Sequence, residues 1–146
     1  MKTNGVSQKK IIYSGSYEKI KDEITEDIYE VYYLPGGAIN VRKDGLPSSD
    51  QMFYVYSDHL GSFNTITDGN GTKVFEQNFD AWGRKRDPSD WDYDFVNYTP
   101  PTVPAGTHDP NKWLIRGFTG HEQLDEFALI NMNGRVYDPL LGRMNS

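Results

Sequence analysis

Three stretches of the chain share one wording. They read Tyr54-Val-Tyr56-Ser-Asp58-His-Leu-Gly61, Asn78-Phe79-Asp80-Ala-Trp82-Gly83-Arg84 and Arg135-Val-Tyr137-Asp138-Pro139-Leu-Leu-Gly142-Arg143. The first two are offset by 22 residues at both the aspartate and the glycine. A fixed period of this length marks stacked supersecondary units, so the chain is bound to a repeating architecture before any single residue is interpreted. Each unit asks for an aromatic on an inward strand position, an aspartate at the strand end that accepts backbone N–H bonds of the turn, and a glycine at positive φ. Asp58 with Gly61 and Asp80 with Gly83 meet that description at the same three-residue spacing. They read as turn formers and not as catalytic acids.

The runs between these signatures alternate at period 2, are rich in β-branched and aromatic residues, and end at Gly, Asn or Asp, the pattern of antiparallel hairpins. Strands are expected at Lys9–Tyr13, Tyr17–Ile20, Asp27–Leu34, Ala38–Arg42, Met52–Ser57, Phe63–Thr67, Lys73–Phe79, Trp113–Phe118, Ala128–Met132 and Arg135–Tyr137. Pro35-Gly36-Gly37, Asp44-Gly45, Asp68-Gly-Asn-Gly71 and Asn133-Gly134 supply turn residues that tolerate positive φ. Ile20, Ile24 and Ile28 also fit one helix face, leaving room for one short helix. The alternation of the flanking tyrosine runs favours two strands with a polar turn. Periodicity stops between Asp87 and Asn111, where five of the eight prolines fall. Proline cannot donate to a ladder, so this is a long loop, with Trp91, Tyr93, Phe95 and Tyr98 expected to pack it onto the sheet. The fold class is therefore all-β, antiparallel hairpins with a Pro-rich loop, in a single domain over 1–146. Within it, 1–50 carries degenerate strands, 51–86 the repeats, 87–112 the loop and 113–146 the end of the core.

Composition narrows the function classes. The net charge of −6 argues against a nucleic-acid surface, which draws its affinity from clustered Lys and Arg. The short run Arg84-Lys-Arg86 is followed by Asp87, Asp90, Asp92 and Asp94, which are expected to neutralise it. There is no cysteine, which removes disulfides and thiolate metal sites. The apolar run Ile11-Ile-Tyr13 is too short for a signal h-region or a membrane span, so neither is expected. Aromatics make up 14% of the chain, enough to build a core at an apolar fraction of only 36%.

The motifs Ser57-Asp-His-Leu-Gly-Ser62, Asp68-Gly-Asn-Gly71, Asp80-Ala-Trp-Gly-Arg84, Gly117-Phe-Thr-Gly-His-Glu122 and Gly134-Arg-Val-Tyr-Asp-Pro139 together resemble the rearrangement-hot-spot (RHS) and YD-repeat proteins. The match runs from about Tyr54 to Ser146 and is most like the core region that precedes the variable C-terminal toxin. Gly15-Ser-Tyr-Glu-Lys-Ile20 and Ile28-Tyr-Glu-Val-Tyr-Tyr33 look like degenerate strands of the same kind. The resemblance implies hairpins forming a curved or partly wrapped sheet, part of a hollow β shell around a toxic domain, in a bacterial parent that is secreted or on the cell surface. This chain would be a structural fragment of such a shell. Its implied partners are the rest of the shell or the toxin, together with further copies of itself through open strand edges. Localisation of the chain itself stays open.

The family's reaction is an aspartate-dependent self-cleavage downstream of Asp138-Pro139-Leu-Leu-Gly142-Arg143. An aspartic mechanism needs two carboxylates sharing a proton, and only one of the expected pair is present, so no enzymatic activity is expected. Asp90-x-Asp92-x-Asp94 begins like a calcium loop, but Phe95 and Pro101 stand where the turn glycine and bidentate glutamate belong. His59, His108 and His121 have no ligand spacing. No cofactor or metal is expected. The competing function is a carbohydrate-binding module that stacks sugars on Trp82, Trp91 and Trp113.

Overall fold

The computed structural model describes residues 9–46 and 49–145. Seven strands follow one another as an antiparallel meander: β1 (Lys9–Ser14), β2 (Tyr17–Asp22), β3 (Ile28–Leu34), β4 (Ala38–Lys43), β5 (Gln51–Ser57), β6 (Phe63–Asp68) and β7 (Lys73–Glu76). Every strand pairs with its sequence neighbour, as short Gly- and Asp-rich turns dictate. Ile20, Ile24 and Ile28 do not share a helix. Ile20 ends buried in β2 and Ile24 sits 63% exposed in the turn, where Asp22 Oδ1 accepts the Ile24 and Thr25 N–H groups.

Alternation places Ile20, Tyr29, Val31, Ile39, Val41, Phe53 and Ile66 on one face, all buried. The sheet curls around that face: Lys9 and Ile11 of β1, Phe75 of β7 and Gln77 just after it line one groove of about 780 Å³. Trp113 and Ile115 fill the interior of the curl. The Trp113 ring lies 4.9 Å from that of Phe53, and its indole N–H donates to His108 O at 3.2 Å.

The chain then changes character. The expected strand Lys73–Phe79 breaks at Gln77, whose buried amide donates to Phe63 O (2.6 Å) and Arg116 O (3.2 Å) while its backbone N–H donates to Asn64 O. Beyond it lie β8 (Asn78–Phe79) and β9 (Lys85–Arg86), a two-stranded ribbon. The expected strand at Trp113–Phe118 is also corrected: a one-turn helix, α1 (Pro110–Trp113), ends at the tryptophan. Asp109 caps it by accepting the Asn111 N–H, and Pro110 fills the first position, whose N–H would have no helical partner. A four-stranded sheet completes the fold: β10 (Glu122–Leu124), β11 (Leu129–Asn131), β12 (Val136–Asp138) and β13 (Arg143–Asn145). Phe79, Phe118 and Ile130 form a second, smaller core beneath it.

The Pro-rich loop is not held down as its aromatics suggest. Trp91, Tyr93 and Phe95 are 64%, 41% and 48% exposed, and of the four only Tyr98 is half-buried, donating to Glu76 O. Cations hold two of the exposed rings: Arg84 stacks 3.8 Å from the Tyr93 centroid and Arg86 lies 5.6 Å from Trp91. Lys85 pairs not with the following aspartates but with Asp125, at 2.7 Å.

Candidate functional site

Three turns repeat one set of hydrogen bonds. At the first, the Asp58 N–H donates to Ser62 O and the Gly61 N–H to Asp58 O, while Asp58 Oδ1 accepts from Leu60 N (2.8 Å) and Ser62 N (2.9 Å). Asp80 does the same with Arg84, Gly83 and Trp82. Asp68 repeats it with Thr72, Gly71 and Asn70. This middle copy reads in sequence only as a hairpin signal, although its Asp and Gly keep the same three-residue spacing. The carboxylate does the work of a backbone acceptor, and the glycine takes φ between 80° and 89° in all three. Asp138 builds a turn one residue longer. Its Oδ1 accepts from Leu140 N and Leu141 N, and Gly142 follows at φ 64° to bring Arg143 opposite Asp138.

The turns at Asp58 and Asp80 close on a single segment, Gly117-Phe-Thr-Gly-His121. From the first side, Ser62 Oγ accepts the Thr119 N–H (3.1 Å) and Phe63 N donates to Gly117 O (3.0 Å). From the second, Gly83 lies against the Phe118 ring so closely that an added Cβ would sit 2.6 Å from it. The segment itself is bent hard, with Thr119 at φ 51° and its hydroxyl 2.8 Å from His121 Nδ1.

An ion pair between buried Glu18 and half-buried Arg116 anchors this arrangement to the large sheet. Glu18 is 1% exposed and accepts from Arg116 Nε (2.8 Å), from Arg116 Nη2 and from the Tyr33 hydroxyl (2.7 Å). Arg116 Nη1 donates onward to Gly120 O. Burial, then the Glu18 carboxylate, raises the Tyr33 phenol well above its ordinary pKa. A charged residue on a strand normally reads as solvent-facing, and its partner lies 98 positions away. Sequence reasoning therefore had no local signal for Glu18, Arg116 or Tyr33.

The three indoles do not form one platform. Trp113 has 0% exposure, so stacking a ligand on it is ruled out by the core it fills. Trp91 stands beside Arg86 in the loop. Trp82, 63% exposed, leans on Gly142, which brings the Asp80 and Asp138 turns together around a shallow depression of about 250 Å³ lined by Asp80, Trp82, Arg84 and the Pro139–Gly142 turn. Asp80 Oδ2 accepts the Tyr93 hydroxyl at 2.8 Å. Asp90 and Asp92 spend their Oδ1 atoms on the N–H groups of Asp92 and Tyr93. Of the histidines, His108 is buried with Nε2 2.6 Å from Ser49 O, and His59 is exposed. Among the described residues no group of three His, Asp or Glu side chains is placed to hold a metal ion.

No protein-family model matches the chain, and no curated protein matches it by sequence. Solved structures do match its fold. TcdB2-TccC3-TEV aligns with a TM-score of 0.62 and 16% identity, over 98% of this chain and 6% of that one. The Photorhabdus luminescens Tc holotoxin pore, with a TccC3 mutation, gives 0.63 and 16% over 93% and 6%. TcdB2-TccC3 gives 0.61 and 18% over 97% and 6%. This chain thus spans about 6% of the length of the solved chains it resembles, and nearly all of it shares their fold.

Proposed function

We propose that this chain is a non-enzymatic structural unit of an RHS/YD-repeat protein, whose parent shell packages and delivers a C-terminal toxin. The observation that carries the reading is the thrice-repeated Asp-x-x-Gly turn, twice in a curled sheet plugged by its own downstream segment and once in the ribbon beside it. Hairpins of this kind cannot bury a face alone and gain stability by stacking on further repeats. Likeness to Tc toxin chains, in which such a fold is a small part of a much longer polypeptide, supports it. The partners are the remainder of the shell and the toxin, and the parent is exported. The edge of β1, with Ile12 54% and Tyr13 50% exposed, is the surface for further strands or for a second copy.

Sequencing the coding region on both sides tests the reading. A continuous frame with more repeats upstream, and a second Asp-Pro-x-Gly element with an unrelated tail downstream, is the expected result; unrelated frames on both sides would refute it. The non-enzymatic part predicts an intact mass that stays constant over days, and a discrete product cut near the C-terminus would overturn it.

A second reading, a surface carbohydrate-binding module, is favoured by the exposure of Trp82 and Trp91. Saturable quenching of tryptophan fluorescence by oligosaccharides would support it, and loss of the response in Trp82→Ala would place the sugar at the shallow depression.

A further inference from the structure

We propose that Asn133-Gly134 is a site of spontaneous deamidation through a cyclic imide, and that the repeat turn protects Asn70-Gly71 from the same reaction. Both pairs are exposed. They differ in what holds the glycine nitrogen. Asn133 and Gly134 form the tip between β11 and β12, at φ 52° and 111°, and the hairpin closes outside them through Met132 N–H to Arg135 O (2.9 Å). Among the described residues nothing accepts the Gly134 N–H, nothing bonds the Asn133 side chain, and no atom lies within 4 Å of where a Gly134 Cβ would stand.

The Gly134 nitrogen attacks Asn133 Cγ. A new N–Cγ bond forms, the Cγ–Nδ2 bond breaks, and ammonia departs with the amide proton. Water then opens the ring at either carbonyl, leaving aspartate or isoaspartate, with no oxidation or reduction. Glycine is the residue least able to hinder the attack, because it has no Cβ.

At Gly71 the same nitrogen is committed. Its N–H donates to Asp68 O at 3.0 Å, and the Asn70 N–H is held by Asp68 Oδ1 at 2.9 Å. Both ends of Asn70 are pinned by one aspartate, so losing the Gly71 amide proton and twisting into the imide each break a bond. At Asn133 each event adds a negative charge beside Arg135. The isoaspartate product also puts a methylene into the backbone of the hairpin that carries Ile130 and Tyr137 in the second core.

Ageing the native protein in mildly alkaline buffer, followed by digestion and mass mapping, decides the matter. The Asn133 peptide is expected to gain one mass unit and an isoaspartate isomer roughly fivefold faster than the Asn70 peptide, the equivalent of about 1 kcal/mol for one hydrogen bond. In denaturant the two rates should converge. Equal or faster loss at Asn70 in the native protein would overturn the proposal, as would rates at the two sites that stay apart in denaturant. Asn4-Gly5, outside the described residues, is read as its own peptide.

Discussion

The turns at Asp58 and Asp80 have the same internal hydrogen bonds and grip the same Gly117–His121 segment, yet they grip it by different means. The first does so with polar groups: Ser62 on Thr119, Phe63 on Gly117, and behind them the Glu18–Arg116 pair. The second does so with apolar surface, Gly83 against Phe118, which packs on Phe79 with ring centroids 5.8 Å apart. A repeat therefore dictates the backbone of its turn and leaves the neighbour to decide what holds it. Polar and apolar grips should fail differently when disturbed.

The largest effect is expected on the polar side. Arg116→Ala leaves Glu18 buried and uncompensated and should cost about 3–5 kcal/mol in denaturant unfolding. A loss below about 1 kcal/mol would mean that the pair contributes little to the grip. Next comes the apolar side: Gly83→Ala combines a positive φ with a collision on the Phe118 ring, for about 2–4 kcal/mol. Gly61→Ala at the matching position meets open space and should cost only about 1–2 kcal/mol. Equal losses at the two glycines would erase the contrast between the turns.

Alkaline pH should weaken the polar side through Tyr33. Tyr33 has its pKa raised well above the ordinary value, and burial followed by the Glu30 hydrogen bond pushes Tyr17 up to about 12. Unfolded tyrosines ionise near pH ~10, so above that point the unfolded chain holds fewer protons than the native one. Stability is then full below about pH 10 and falls as pH rises toward the native values. Tyr33→Phe should flatten part of that fall, and an unchanged slope would remove Tyr33 from the account. Ser62→Ala strands the Thr119 N–H and matches Gly61→Ala in size, about 1–2 kcal/mol.

The meander was legible because each of its strands has alternation on the page and its own turn chemistry between neighbours. Boundaries from Lys9 to Asp68 shift by only one or two residues from expectation. Legibility failed where one long-range contact outranks local pattern. The Gln77 amide breaks an otherwise continuous β run, and nothing in the sequence shows that Phe63 and Arg116 will offer it carbonyls. The strands Glu122–Leu124 and Arg143–Asn145 are too short to alternate. The helix at Pro110 did carry a signal, Asp109-Pro110, which the apolar run Trp113-Leu-Ile115 after it obscured. Aromatic residues were the poorest guides: Trp113 and Trp82 look alike in sequence, and one is the centre of the core while the other faces water. The site followed the same division. The Asp–Gly spacing was readable, and the segment it closes on was readable as a motif, but the ion pair that joins it to the sheet was not.

The nearest-neighbour order of β1 to β7 also governs how the molecule comes to exist. Contacts close in sequence cost little loop entropy, so the seven strands can zip in the order they are synthesised. The Glu18–Arg116 bond spans 98 residues and cannot form until that work is done. Seating the plug is then expected to be the last event in folding and the first undone in unfolding. Arg116→Ala should speed unfolding and leave the refolding rate almost untouched, a φ-value near zero at a contact between residues 98 positions apart.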